Sequence, residues 1–399
     1  MSEPRKEQGK AAGNGKRRQL LQRLTLVFGV AAIAYGAHWV LHGRFHEDTD
    51  DAYVAGNVVQ ITPQVAGTVV AIRADDTDFV RTGTPLVQLD PLDAKVALDQ
   101  AEAQLAQAVR EVRGLFANDA ALSALVRQRQ ADVAKVREDV ARRLVVAESG
   151  AVSQEEIAHA KAGLLAAEAA LASAREQLAA NRALIDRTTV ASHPSVTRAA
   201  AKVEESYIAF ERATIPAPVT GFVAKRSVQA GQRVAPGMPL MAVIPLDQVW
   251  VDANFKEGQL THLRLGQPAT LTADLYGSRV VYHGKVVGMG AGTGAAFALL
   301  PPQNATGNWI KVVQRVPVRI ALDPGELAKH PLRVGLSMLV DVDIHDQSGP
   351  TLADAPRREP VAVTTVFNDL GKAAEARVKA IIDANLRDDT PSSPQKHPA

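Results

Sequence analysis

The sequence predicts an elongated α+β protein of several modules. These are an N-terminal transmembrane helix, a β-sandwich split into two halves, a long antiparallel α-helical coiled-coil hairpin and an antiparallel β-barrel. Three observations predict this class: one segment occurs twice, a seven-residue apolar repeat lies between the copies, and an uncharged apolar stretch follows a basic N-terminus. With 399 residues the chain also exceeds the usual size of one compact core.

The composition excludes several classes of protein. The chain contains no cysteine, which rules out disulfides and cysteine-ligated zinc. Its net charge of +2 is uneven, because residues 1–23 contain seven Lys or Arg and only two acidic residues. The basic charge is therefore confined to a tail, and no nucleic-acid partner is predicted.

An apolar stretch, LTLVFGVAAIAYGAHWVL, covers residues 24–41 and is long enough to cross most of a bilayer core as a helix. We predict a basic cytoplasmic tail at 1–23 and a single membrane helix at 24–42, with the remaining chain outside, since basic residues precede the stretch and acidic residues follow it. A cleaved signal peptide and a buried core helix are the alternatives. Apolar residues continue for seven positions after the small-x-small triplet at 32–34, which favours an anchor.

Three histidines, His38, His42 and His46, share one helical face if the helix continues that far. Such spacing can bind a metal, but no supporting carboxylate pattern accompanies it. Placement at the membrane interface is the favoured interpretation, and no metal is predicted.

The repeated segments, residues 64–87 and 218–241, align without a gap. Identical pairs are Val65/Val219, Gly67/Gly221, Val69/Val223, Val80/Val234, Gly83/Gly237, Pro85/Pro239 and Leu86/Leu240. Each copy is typical of short valine-rich strands, and the structural turns are assigned to Gly67, Gly83, Pro85, Gly221, Gly237 and Pro239. Neither copy can bury its apolar face alone. We therefore expect two half-domains, at 50–91 (with a strand that enters the β-barrel) and 215–245, to close on each other about a pseudo-twofold axis.

Residues 92–214 between the half-domains predict a coiled-coil hairpin with its tip at about 146–153. The first arm carries an apolar seven-residue step from Leu98 to Val140, and the second carries one from Ile157 to Ile185. A Ser-x-x-Glu capping box at Ser153 opens the second arm. The alternative is a coiled coil that merely dimerises.

One break and one weak point are expected in the hairpin. Residues 188–195, which contain His193-Pro194, must break the second arm, since proline removes a backbone donor and disfavours helix before it. Gly114 and Asn118-Asp119 predict a weak point in the first arm. The acidic residues Asp75, Asp76 and Asp78 are interpreted as solvated turn residues.

The remaining sequence divides into a β-rich part and a polar tail. Residues 246–346 alternate apolar and polar, which predicts an antiparallel β-barrel. The glycines of 288–294 do not form a phosphate loop, because no Lys-Ser/Thr follows them. Residues 347–399 are a polar C-terminal tail with a candidate helix near residues 370–386.

The split half-domains resemble the biotinyl/lipoyl domain. Carriers of that family bear a modified lysine at the hairpin between the halves, and here a long insertion replaces that position. No Met-Lys-Met occurs, which disfavours a biotin-dependent enzyme subunit modified at Lys95 or Lys225. No catalytic constellation occurs at motif spacing, so we predict no catalytic, cofactor-binding or metal-binding residues and no enzyme.

The order of the modules resembles the membrane fusion proteins, the HlyD-like periplasmic adaptors of Gram-negative bacteria, and more narrowly their EmrA branch. The resemblance covers about residues 20–365 and rests on DDAYVAGNVVQITPQVAG, ADDTDFVRTG, PLMAVIPLDQVWVDANFKE and PPQNATGNWIKVVQRVPVRI. It implies an inner-membrane protein with its bulk in the periplasm. It also implies an oligomer that links a major-facilitator drug exporter to a TolC-like outer-membrane channel for multidrug efflux. The alternative is an adaptor of ABC-type protein secretion.

The resemblance also implies a channel contact at the hairpin tip. Adaptors of this superfamily often carry Arg-x3-Leu-x6-Ser there, and the matching residues here are Arg142, Val146 and Ser153. Valine replaces the leucine. Arg142 as a solvated helix charge and Ser153 as a helix cap are the alternatives.

Overall fold

The computed structural model describes residues 14–41, 43–148, 152–297 and 312–386. Within these ranges the chain forms two compact units. One falls in residues 1–59, 220–222 and 243–363 and contains the N-terminal helix and the β-barrel. The other falls in 60–219, 223–242 and 364–399 and contains the helical hairpin.

The secondary structure is divided between long helices and short strands. The helices are α1 Asn14–Leu41, α2 Leu92–Ala147, α3 Gln154–Ile185, α4 Pro194–Glu211, α5 Pro324–Lys329 and α6 Leu370–Leu386. The strands are β1 His46–Ala55, β2 Val59–Ile61, β3 Gly67–Ile72, β4 Phe79–Val80, β5 Pro85–Leu89, β6 Thr214–Pro216, β7 Gly221–Ala224, β8 Arg233–Val234, β9 Met241–Ile244, β10 Trp250–Lys256, β11 Pro268–Ala273, β12 Val281–Met289, β13 Arg315–Leu322 and β14 Ser337–Asp343. These elements confirm the predicted fold class.

Helix α1 contains a window, Leu20–Ala37, that is long and apolar enough to cross a membrane. None of this window is buried in the described structure. The helix ends at Leu41, so His46 lies in β1, and the expected helical face of three histidines is wrong. His46 Nδ1 instead lies 2.6 Å from Oδ1 of Asp341, and this hydrogen bond raises the pKa of the imidazole. No metal-binding group of three His, Cys, Asp or Glu occurs in the described ranges.

The β-barrel is closed, with the strand order β1-β10-β13-β12-β11-β14 and antiparallel pairing throughout. Alternate residues face its core, as in β10, where Val251, Ala253 and Phe255 are buried. Strand β1 from the N-terminal part of the chain completes the barrel, because β10 and β14 both pair with it. Of the glycine-rich segment 288–294, Gly288 and Met289 belong to β12.

The half-domains form two four-stranded sheets with the orders β6-β5-β3-β8 and β2-β9-β7-β4. Each sheet combines strands that precede the hairpin with strands that follow it. Short strands of this kind bury few residues each, so the sheets depend on strands from both halves.

The hairpin consists of α2 packed against α3 toward the tip and against α4 toward its base. Helix α2 continues for 56 residues, so the chain does not break at the expected weak point at Gly114 and Asn118-Asp119. The second arm does break where predicted. His193 joins the two parts, because its Nδ1 accepts the Ser195 N–H at 3.2 Å and its Nε2 donates to the Leu184 carbonyl at 3.0 Å.

Polar side chains explain why the first arm does not break. The Asn118 amide donates to Oδ1 of Asn181 at 2.9 Å, and the Asn181 amide donates to the Leu115 carbonyl at 3.1 Å. Beside them, Arg182 donates to Asp119 at 3.1 Å. The residues that weaken an isolated helix thus form a polar contact between the arms, which favours a single register.

We expect Asn181→Ala to lower the free energy of unfolding by about 1–2 kcal/mol. Asn181 is buried and its replacement removes both cross-arm hydrogen bonds, whereas Asn118 is exposed and water can replace its partner. The matched variant Asn118→Ala should therefore cost less. Thermal denaturation of both variants measures the difference, and an equal or larger loss in Asn118→Ala contradicts this explanation.

Helix α6 corrects the expectation of a simple polar tail. It has the bounds of the candidate helix, but it is packed against α2 and α4, with Ala374, Val378 and Ile382 buried. The base of the hairpin is therefore a three-helix bundle.

Candidate functional site

Both copies of the repeated segment fall in the unit that contains the hairpin, except residues 220–222, which are grouped with the β-barrel. The Val69 N–H donates to the Gln232 carbonyl at 2.8 Å, and the Val69 carbonyl accepts from the Gly231 N–H at 2.8 Å. On another edge, the Thr77 N–H donates to the Val223 carbonyl at 2.9 Å. The halves close on each other through backbone hydrogen bonds despite the long insertion between them.

Several equivalent positions of the copies agree in burial or in backbone conformation. Three of the four shared apolar pairs are buried, namely Val69/Val223, Val80/Val234 and Leu86/Leu240, and the pair Val65/Val219 is half-buried. Gly83 and Gly237 have positive φ angles of 84° and 82°, a conformation that glycine adopts without the strain of a side chain. Pro85 and Pro239 follow these turns at exposed positions. The repeat is thus conserved in three dimensions within this chain.

One equivalent pair differs in residue type but not in conformation. Thr77 has a φ of 77° and its counterpart Gly231 a φ of 81°. A β-branched residue is strained in this region. We therefore expect Thr77→Gly to raise the free energy of unfolding by about 0.5–1 kcal/mol and Gly231→Thr to lower it by about 1–2 kcal/mol. Chemical denaturation of the two variants tests this, and changes of the same sign contradict it.

The acidic turn after β3 also joins the halves. Arg226 Nε donates to Asp75 Oδ1 at 2.6 Å, and the Arg226 N–H donates to Asp76 Oδ1 at 2.9 Å. The hydrogen bond from Arg226 lowers the pKa of the Asp75 carboxyl. Asp75 and Asp76 are therefore not merely solvated turn residues, because Asp75 binds the side chain of Arg226 and Asp76 binds its backbone N–H, both in the other half.

The hairpin starts and ends on neighbouring strands. Strand β5 leads into α2, and α4 leads into β6, which pairs antiparallel with β5. The Leu89 N–H donates to the Ala213 carbonyl at 2.8 Å, just below the two helix ends. This strand pair fixes the separation of the arms at their base, so the closed half-domains position the hairpin.

The three-helix bundle at the base adds a second constraint on the hairpin. Leu105 and Val112 of α2, Val203 of α4 and Val378 of α6 belong to one buried cluster. At its rim, Arg377 of α6 donates to both carboxylate oxygens of Glu102, at 2.7 and 3.1 Å. Further along, Arg110 donates to the Asn385 side chain at 2.8 Å. Helix α6 thus holds both arms of the hairpin.

At the tip, Ser153 forms the predicted capping box. Its Oγ accepts from the Glu156 N–H at 3.1 Å, and its own N–H donates to Glu156 Oε2 at 3.0 Å. Residues 149–151 lie outside the described residues. Ser153 therefore starts α3, and its side chain remains exposed.

The other two candidate tip residues lie on the last turns of α2. Arg142 is 3.7 Å from Glu138 and from Asp139, in exposed ion pairs that contribute little to stability. Val146 lies one turn further and is 44% exposed, next to Val145 at 72%. The end of the hairpin thus presents apolar surface beside a cation, which suits a protein contact.

Helix α6 is the part of the hairpin base that the sequence indicated only weakly. Its Ala374, Val378 and Ile382 occur at four-residue spacing, which is the signal for one apolar helical face. A face of three small or branched residues does not show by itself what it packs against.

The anchor-type helix, closed half-domains, hairpin and barrel together define a membrane fusion adaptor. A family model described as "EMRA, alpha-helical hairpin domain" matches residues 92–213. The chain is 47% identical to the multidrug export protein EmrA of Escherichia coli K12, over 88% of this chain and 90% of that protein. It is 46% identical to the fatty acid resistance protein FarA of Neisseria gonorrhoeae, over 90% of this chain and 92% of that one.

Among solved structures, the chain is similar to the periplasmic adaptor protein EmrA, at 17% identity and a TM-score of 0.38 over 75% of this chain and 99% of that one. At 47% identity across most of its length, the protein belongs to the EmrA family of membrane fusion proteins. Proteins of this family are adaptors and not enzymes.

Proposed function

We propose that the protein is the periplasmic adaptor of a tripartite multidrug efflux pump. In this function it links a major-facilitator exporter in the inner membrane to a TolC-like channel in the outer membrane. The observation that carries the proposal is the hairpin, whose arms are fixed at the base by the β5–β6 pair and whose α2 of 56 residues has a length of about 84 Å. The 47% sequence identity between this chain and a multidrug export protein supports multidrug efflux as the process in which the adaptor acts.

The membrane arrangement belongs to the same proposal. Leu20–Ala37 anchors the protein in the inner membrane, with the basic tail in the cytoplasm and the other modules in the periplasm. One hairpin has only two long arms and cannot enclose a path. Several copies must therefore assemble side by side, and the partner exporter supplies the energy.

The tip contact is proposed to involve Arg142, Val146 and Ser153. The guanidinium of Arg142 can donate to backbone carbonyls or carboxylates of a partner. Val146 supplies apolar contact area, and the Ser153 hydroxyl lies at the adjacent helix start. Ser153 is proposed to act both as the cap of α3 and as a contact residue, because the cap also fixes the geometry of the tip.

We expect Val146→Asp to abolish drug resistance in a host that depends on this adaptor, since the carboxylate must lose its water in the contact. The matched control is Gln130→Asp, an exposed position of α2 away from the tip, which should retain resistance. Drug susceptibility and adaptor abundance are measured together. Full resistance in Val146→Asp at normal abundance contradicts a tip contact.

Cross-linking identifies the partners directly. The chain has no cysteine, so one introduced at position 146 is a unique attachment site. We expect Val146→Cys, but not Gln130→Cys, to cross-link to an outer-membrane channel in intact cells. Co-purification of the inner-membrane partner completes the test, because a transporter with an ATPase domain indicates ABC-type secretion and contradicts the major-facilitator assignment.

A further inference from the structure

An open groove of about 240 Å³ lies at the base of the hairpin, within the unit that contains the half-domains. Its apolar walls include Ile61 of β2, Ile215 and Pro216 of β6, and Phe367, which precedes α6. An apolar cavity of roughly 150 Å³ can hold one benzene ring, so this groove has room for a ring and a small substituent. The size and walls suit a small apolar molecule.

One charge lies among the residues of the groove. Arg212, at the end of α4, lines it and has no ion-pair partner among the described residues. The other polar lining residues are uncharged glutamines and threonines. A single guanidinium beside apolar walls favours a ligand with one anionic group and disfavours a cation.

The C-terminal segment completes the groove. The Thr364 hydroxyl donates to the Pro218 carbonyl at 2.8 Å, and Phe367 then contributes a wall before α6 begins. Because Phe367 is part of the groove only when this segment is docked, a ligand that contacts it stabilises the docked state. The groove is thereby linked to α6, which holds both arms of the hairpin.

We propose that this groove binds a small aromatic molecule with one anionic group, and that binding holds the C-terminal segment and α6 against the base of the hairpin. The proposal goes beyond the export function and does not depend on it, because the test requires neither an exporter nor a channel.

The test uses the full chain in lipid nanodiscs, titrated calorimetrically with naphthoate, naphthylmethylammonium and naphthylmethanol. Empty nanodiscs serve as the blank. We expect naphthoate to bind about tenfold or more tightly than the other two, and added salt to weaken only its binding. Equal affinities for the three probes, or no binding of naphthoate, overturn the proposal.

Variants locate the site. Arg212→Gln should lower the naphthoate affinity about tenfold, whereas Arg198→Gln, an equal charge change at an exposed position of the same helix, should leave it unchanged. Phe367→Ala provides a second test that does not alter charge and should also weaken binding. Wild-type affinity in both Arg212→Gln and Phe367→Ala overturns the assignment of the groove.

Hydrogen exchange tests the link to α6. Naphthoate should slow exchange of the α6 amides in the wild-type protein and slow it less in Arg212→Gln at the same naphthoate concentration. Binding without any change in α6 exchange overturns the second half of the proposal.

Discussion

Gly221→Ala is expected to lower the free energy of unfolding by about 3 kcal/mol or more. A Cβ at this buried position would overlap the carbonyl oxygen of Ile244 and lie 2.7 Å from the carbonyl carbon of Ile244 and 2.9 Å from the nitrogen of Pro245. These are backbone atoms at the end of strand β9, which cannot move without breaking its pairing. The added methyl must therefore displace a strand.

The repeat provides a control for this prediction. At the equivalent Gly67, the three atoms nearest to an added Cβ all belong to the Leu89 side chain, with Cβ at 3.1 Å and Cδ1 at 3.3 Å. A side chain can shift by a few tenths of an ångström, so Gly67→Ala should cost about 1 kcal/mol. Chemical denaturation measures the loss of stability in each of the two variants, and the abundance of each variant in cells provides a second measurement. A cost in Gly67→Ala equal to that in Gly221→Ala contradicts the explanation by backbone contact.

The difference between Gly67 and Gly221 shows what a repeat reveals and what it does not. The shared glycines, valines and leucines identify two copies of one fold, because buried positions and turns recur at a constant spacing. The identity of the neighbour that each glycine contacts depends on strands from elsewhere in the chain. Thr77, in the conformation of its counterpart Gly231, likewise leaves no signal in sequence.

The hairpin, like the repeat, is predictable from residues at regular local spacing, whereas its contacts between distant residues are not. Heptad spacing, a capping box and proline are local signals, and they located the arms, the start of α3 and the break before α4. Asn118 and Asn181 are 63 residues apart and form one contact, so local propensity indicated a weak point where the structure has a cross-arm hydrogen bond. The ion pair between Asp75 and Arg226 was missed because it joins residues 151 apart.

Val378→Asp is expected to detach α6 from the base of the hairpin and to lower the free energy of unfolding by about 2–4 kcal/mol. Val378 is 7% exposed and belongs to the cluster that includes Leu105 and Val203. A carboxylate in that cluster would lose its water without gaining a partner. The detached state is the less costly alternative, because the helix then returns to solvent while α2 and α4 lose only part of their burial.

The matched control is Ala380→Asp, which adds the same charge to an exposed position of the same helix. Hydrogen exchange should show rapid exchange throughout α6 in Val378→Asp and wild-type protection in Ala380→Asp. If α6 holds the arms of the hairpin in place, Val378→Asp also lowers drug resistance at normal adaptor abundance. Full resistance with a detached α6 would show that the strand pair β5–β6 is sufficient to position the hairpin, and that α6 contributes stability alone.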